Sequence, residues 1–197
     1  QEMKDEIITA TVGTIVVATG YKTFDLAAYG EYGGGRHPNV ITGLQLERLL
    51  SASGPTGGEV ICPSDGSHPK TVVFISCVGS RDENKGRSYC SKFCCMYMAK
   101  HAIMLKEHDP GVQCYIFYID FRAGGKDFDE FARRAQREYG TLYLRGRVSN
   151  IFQDGKKLIV CGEDSLIGRP VEIPADLVVL ATGAEPSVGA AELAKIL

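Results

Sequence analysis

Thr71-Val-Val-Phe-Ile-Ser-Cys-Val-Gly79 joins a β-branched and aromatic run to a cysteine and a glycine at the point where the run stops. Its first six residues, Thr71 to Ser76, have the side chains of a strand buried on both faces. A polar loop follows from Gly79 to Ser91, and a helix fits from about Phe93 to His108. Asp109-Pro110-Gly111 ends that helix, since proline cannot continue it, and His108 is favourable near its negative C-terminal end. Val112-Gln-Cys-Tyr-Ile-Phe-Tyr-Ile119 reads as the next strand. Asp127 with Glu130 reads as a capping box opening a second helix, whose Phe128, Phe131, Ala135 and Tyr139 follow 3–4 spacing. Thr141 to Leu144 supplies a third strand.

Beyond it the pattern turns antiparallel. Asp154-Gly155 is a hairpin turn between 147–153 and 156–161, and a second turn through 165–169 leads into Val171–Ile173. Strands alternating with helices make a parallel sheet covered on both faces. The fold class is therefore α/β, Rossmann-like, with a parallel sheet plus a small antiparallel meander. Upstream, Thr42 and Gln45 form a second capping-box pattern for a short helix through Leu50, and 51–69 is punctuated by Gly and Pro like a linker. At the two ends, Val12 to Ala18 reads as a buried strand closed by Thr19-Gly20, and Asp176 to Gly183 repeats the pattern almost residue for residue. The expected organisation is thus 1–20 as one outer strand, 21–69 as linker with a short helix, 70–175 as the Rossmann-like domain, and 176–197 as the other outer strand. Gln1 is not a start residue, so the sequence reads as an excised segment of a longer chain.

The chain has 197 residues, a net charge of -2 and seven cysteines. That charge gives no electrostatic case for nucleic acid. No apolar run reaches the roughly 18–20 residues of a membrane span. The odd cysteine count, with four thiols crowded between 77 and 95, argues against a secreted disulfide framework and for metal ligation in a reducing compartment, hence a cytoplasmic location.

A dinucleotide-binding unit places G-x-G-x-x-G after its first strand, so that bare amides and a helix N-terminus meet pyrophosphate. Here Cys77-Val78-Gly79-Ser80-Arg81-Asp82 stands in that place, with one of the three glycines and a loop too long for the tight turn. Asp120 comes too late for the ribose-binding acid, and Arg81 and Arg122 read as solvated surface arginines. Nicotinamide binding is not expected. The cysteines run Cys77-x12-Cys90-x3-Cys94-Cys95. Four thiolates suit a [4Fe–4S] cubane, and Cys94 and Cys95 would lie at the positive end of a helix, which favours thiolate over thiol. Adjacent helical residues point about 100° apart, so both reach one cubane only if the first turn is irregular. Zinc held by four cysteines is the rival, although an adjacent pair suits a tetrahedron poorly. Inert buried thiols are the third reading. Cys114 and Cys161 read as strand-core residues, Cys62 as an exposed thiol. His37, His68, His101 and His108 read as surface residues. No catalytic acid–base or nucleophile set can be assembled.

Taken together, these residues resemble the A subunit of heterodisulfide reductase and its relatives. The resemblance is carried by Val12-Gly-Thr-Ile-Val-Val-Ala-Thr-Gly-Tyr21, by Pro38-Asn-Val-Ile-Thr-Gly-Leu-Gln-Leu-Glu-Arg-Leu-Leu50, and most specifically by Cys77-Val-Gly-Ser-Arg-Asp82 with Tyr89-Cys90-Ser-Lys-Phe-Cys94-Cys95. It implies a thioredoxin-reductase-like oxidoreductase whose pyridine-nucleotide-type domain carries one [4Fe–4S] cluster on Cys77, Cys90, Cys94 and Cys95. It implies also an FAD domain split by that domain, with 1–20 its exit strand and 176–197 its return, and Thr19, Gly20, Thr182 and Gly183 approaching FAD in the whole protein. The FAD fingerprint is absent, so this segment is not expected to hold FAD or to be active alone. The implied partners are the other subunits of an electron-transfer complex; the alternative is a cluster-free or zinc-stapled scaffold that docks partner subunits. The tract from Tyr29 to Arg36, with three consecutive glycines, departs from the pattern and is assigned no contact.

Overall fold

In chain order the strands are β1 (Tyr21–Thr23), β2 (Val40–Thr42), β3 (Thr71–Val78), β4 (Gln113–Tyr118), β5 (Leu142–Arg145), β6 (Val148–Asp154), β7 (Lys157–Asp164), β8 (Arg169–Ala175), β9 (Leu177–Thr182) and β10 (Ala184–Pro186). The helices are α1 (Gly43–Leu50), α2 (Cys94–His108), α3 (Phe128–Arg137) and α4 (Ala190–Ile196). The structure, a computed structural model, describes residues 5–197. Two compact units divide the chain: Gln1–Lys22 with Pro186–Leu197, and Thr23–Glu185.

The larger unit is built on a five-stranded parallel sheet in the order β2-β9-β3-β4-β5. Strand alternation sorts its side chains onto two faces. Val72, Phe74, Cys114, Ile116, Leu177 and Val179 pack beneath Leu46 and Leu50 of α1 and Met98, Ala102 and Leu105 of α2. Val73, Ile75, Phe117, Val178 and Leu180 face the other way, onto Val148, Ile151, Leu158, Val160 and Ile173. Those residues come from an antiparallel sheet of order β6-β7-β8, so helices cover one face of the parallel sheet and the meander covers the other. Each fully buried Val, Leu, Ile or Phe contributes about 1.5–3 kcal/mol, which makes this double layer the main source of stability. The Rossmann-like α/β reading with its meander holds.

Several elements fall elsewhere than the sequence pattern predicts. Val40–Thr42, within a stretch read as linker, is the edge strand β2, too short to show an alternation. Leu177–Thr182, placed by the pattern with the return segment 176–197, lies between β2 and β3 and is buried at every residue. A strand apolar on both sides belongs inside a doubly covered sheet, and this sheet offers such a place. Its near-copy, Val12 to Ala18, forms no strand; Val16 is 85 % exposed and Val17 53 %. Apolar composition does not make a strand without a neighbouring edge to bond and a face to bury. The Thr42–Gln45 capping box is formed. Asp127 instead adopts a left-handed conformation, φ 64°, with no side-chain cap on α3, so the second box is not formed.

Candidate functional site

β3 ends irregularly. Its register with β9 runs Ile75 to Leu180 and then Val78 to Thr182, so β3 carries one residue more than its partner across that step. A bulge of this kind bends the strand and re-aims a side chain. Val73 and Ile75 face the meander, and regular alternation would put Cys77 there next; Val78 takes that place. Cys77 is lifted out with a left-handed φ of 60°, and the Ser80 amide donates to its carbonyl at 3.2 Å. The turn continues through Gly79 (φ 76°) and Arg81 (φ 56°), so the backbone is held in strained conformations at the edge where α/β sheets present ligands.

The following loop is stitched back on itself. Asp82 and Arg87 exchange backbone bonds, and the Arg81 amide donates to the Tyr89 carbonyl at 2.9 Å. Ser80 Oγ and Ser91 Oγ are 2.6 Å apart, and the Ala184 amide donates to Ser91 Oγ. Cys90 accepts from the Lys92 amide at 3.3 Å. Cys94 and Cys95 open α2, where unpaired amides point outward. The Phe93 carbonyl accepts from both Met96 and Tyr97, so the first turn of α2 mixes 3₁₀ with α bonding. Cys95 Sγ lies 4.0 Å from the carbonyl oxygen of Asp120, beyond the end of β4, which sets it at the same edge as Cys77.

All seven cysteines are free thiols. Burial pushes the Cys94 thiol up to about 12, helped by the negative charge that Cys77, Cys95 and Cys90 would carry. Burial raises Cys77 as well, with Cys95 and Cys90 adding to it and Arg81 opposing. Cys95 is raised by burial, with the Arg122 amide pulling back and Cys90 adding to the rise. Cys77, Cys95 and Cys90 thus each add to the rise at Cys94. Among the described residues there is no group of three or more His, Cys, Asp and Glu side chains that could hold a metal ion.

Beside this turn lies an aromatic wall that the sequence left without a role. Phe24 packs on Gly79 so closely that a Cβ there would meet the ring at 2.1 Å. Tyr29 stacks on Tyr32 with centroids 5.1 Å apart, and its hydroxyl donates to Asp82. Burial and the Asp82 carboxylate raise the Tyr29 hydroxyl far above its ordinary range, and the same bond holds Asp82 low. The Tyr32 hydroxyl donates to the Val148 carbonyl at 3.2 Å. Tyr29 to Arg36 therefore ties the cysteine turn to the meander. Its only sequence signal was the two tyrosines three residues apart.

Thr182 is buried, and the Gly183 amide donates to the Val78 carbonyl at 2.7 Å. A Cβ on Gly183 would stand 2.6 Å from the Gly79 carbonyl oxygen, so this glycine seats the cysteine turn. Thr19 and Gly20 belong to the other unit and are exposed. Other residues depart from expectation. Arg81, read as a solvated surface residue, is only 22 % exposed and paired with Asp120, whose position one strand over could not be seen from spacing. His101 is buried, with Nε2 bonded to Glu47, because α1 covers that side of α2. Cys62 is buried too, its Sγ 3.8 Å from the Asp176 carbonyl oxygen. Cys114 is a core residue as expected, while Cys161 is only half-buried, on the outer side of β7. No helix among the described residues is long and apolar enough to cross a membrane.

No protein-family model matches the chain. It is 50 % identical over 198 aligned residues, covering all of this chain, to the iron-sulfur A subunit of the CoB–CoM heterodisulfide reductase of Methanocaldococcus jannaschii. The match to the A subunit of the H2/formate:CoB–CoM heterodisulfide, ferredoxin reductase of Methanococcus maripaludis is equally 50 % over the whole chain. Relatives half identical to this chain along its whole length are thus heterodisulfide reductase A subunits. It spans about 30 % of the length of each of these relatives. Among solved structures, the L-lysine 6-monooxygenase of Pseudomonas syringae superposes with a TM-score of 0.50 over 76 % of this chain and 41 % of that one, at 10 % identity. That likeness concerns the fold alone.

Proposed function

We propose that this chain is the electron-transfer segment of a heterodisulfide-reductase-type oxidoreductase, holding one [4Fe–4S] cluster on Cys77, Cys90, Cys94 and Cys95. What supports the proposal is that these four free thiols are carried by a bulged strand end, a stitched loop and a helix N-terminus that follow one another in the chain. The donor set fits the group: thiolates are its usual ligands, and a cube of iron and sulfide holds them farther apart than one ion would. When bound, the cluster supplies one-electron storage between FAD and partner subunits of the whole complex. The chain's own part is to hold and shield. The bulge aims Cys77, the first amides of α2 favour thiolate at Cys94 and Cys95, and Phe24, Tyr29 and Tyr32 exclude water from one side of the turn. By the family relationship, Thr19, Gly20, Thr182 and Gly183 approach FAD in the longer protein, which works in the cytoplasm.

The test is anaerobic reconstitution of the chain with iron and sulfide. About four irons per chain and an electron paramagnetic resonance signal on dithionite reduction are expected, lost in Cys94→Ala and Cys77→Ala but retained in Cys114→Ala. Stoichiometric zinc with no sulfide would favour the zinc-stapled scaffold, and a signal that survives loss of Cys94 would mean that another residue holds the cluster in its place.

A further inference from the structure

Arg81 is held from three sides. Its amide donates to the Tyr89 carbonyl, its carbonyl accepts from Arg147 Nη2 at 2.8 Å, and its guanidinium is paired with Asp120. Asp120 also receives Arg122 at 3.4 Å and presents its own carbonyl to Cys95. The Arg81–Asp120 pair therefore bridges the loop of Cys77 to the contact of Cys95. Its arginine sits in a left-handed conformation, φ 56°, that a merely solvated residue has no reason to keep.

We propose that Arg81 and Asp120 are positioning residues that set, with opposite signs, how readily the cysteine-held centre accepts an electron. This rests on the cluster assignment above. Reduction adds one electron, from dithionite in the test, and neither makes nor breaks a bond to these residues. A fixed cation beside the sulfurs stabilises the added negative charge, and a fixed anion destabilises it; net charge is one of the levers on such potentials. The pairing keeps the cation in place and moderates it.

The experiment is a redox titration of the reconstituted chain, followed by paramagnetic resonance, for wild type, Arg81→Gln, Arg81→Lys and Asp120→Asn. In Arg81→Gln the reduced-to-oxidised ratio at the wild-type midpoint should fall roughly tenfold, the size of one charge acting over about 10 Å at an effective dielectric near 20. Arg81→Lys should restore it, and Asp120→Asn should move the midpoint the other way. Shifts of the same sign in Arg81→Gln and Asp120→Asn, or no shift, overturn the inference while leaving the cluster assignment intact. If Arg81→Gln fails to load, Asp120→Asn decides alone: a positive shift supports the inference, and its absence defeats it. A wild-type chain that forms no cluster removes the assignment and this inference together.

Discussion

A methyl group on Gly79 would meet the Phe24 ring at 2.1 Å from a backbone already at φ 76°. The left-handed conformation costs a residue with a Cβ about 1–2 kcal/mol, and overpacking adds a further 1–3, roughly. Gly79→Ala should therefore lower the urea midpoint by an amount worth about 2 kcal/mol or more, and should also reduce iron retention because Cys77 shares the turn. Denaturation and iron analysis read the two effects separately. At this scale the sequence was informative about types and poor about surroundings. The four cysteines stand out in the sequence because their spacing is unusual. Burial of Cys62 and His101, and the ion pair of Arg81, were not, because each depends on a residue distant in the chain: Asp176, Glu47 and Asp120.

Among the elements, the start of β3 is fastened by one carboxylate. Asp176, just before β9, accepts from the amides of Lys70 and Thr71 at 3.0 Å each and pairs with Lys157 of β7 at 2.6 Å. Burial pushes this carboxyl up, but Lys157 and the two amides outweigh it and hold it below the usual range. A carboxyl depressed on folding stabilises fully above its unfolded value, near about 3.9, and loses that effect as pH falls through the folded value. Asp176→Asn should cost about 1.5–3 kcal/mol at neutral pH, typical of hydrogen bonds to a charged group. The gap from wild type should stay constant from about pH 7 to 5 and narrow in stronger acid; a gap that widened there would contradict the sign. Elements with clear periodicity, β3, α2, β4 and the β6–β7 hairpin, were legible from sequence. β2 was not, since three residues carry no period, and the cap of α3 was not, since a capping-box pattern does not oblige the backbone to use it.

For the molecule as a whole, two segments of nearly the same composition have unlike fates. Val178 is fully buried on the meander side of the sheet, and Val16 is 85 % exposed. Val178→Ala should cost about 1.5–3 kcal/mol, whereas Val16→Ala should stay within about 0.5 kcal/mol of wild type. Parallel melting curves would decide; equal losses would mean that Val16 is buried in solution. The α/β class and its meander could be read from the order of elements, because alternation of strand and helix leaves few topologies. The place of β9 could not, because a fully apolar strand names no neighbour.

The extra residue near the end of β3 bears on how the position of Cys77 arises in descent. Removing one codon between Ile75 and Val78 would mend the ladder with β9 and return the next side chain to the ordinary pleat, taking away the sulfur's position in a single event. Inserting one would do the reverse. A strand end of this kind would let a lineage gain or lose the placement of one side chain without rebuilding the sheet beneath it.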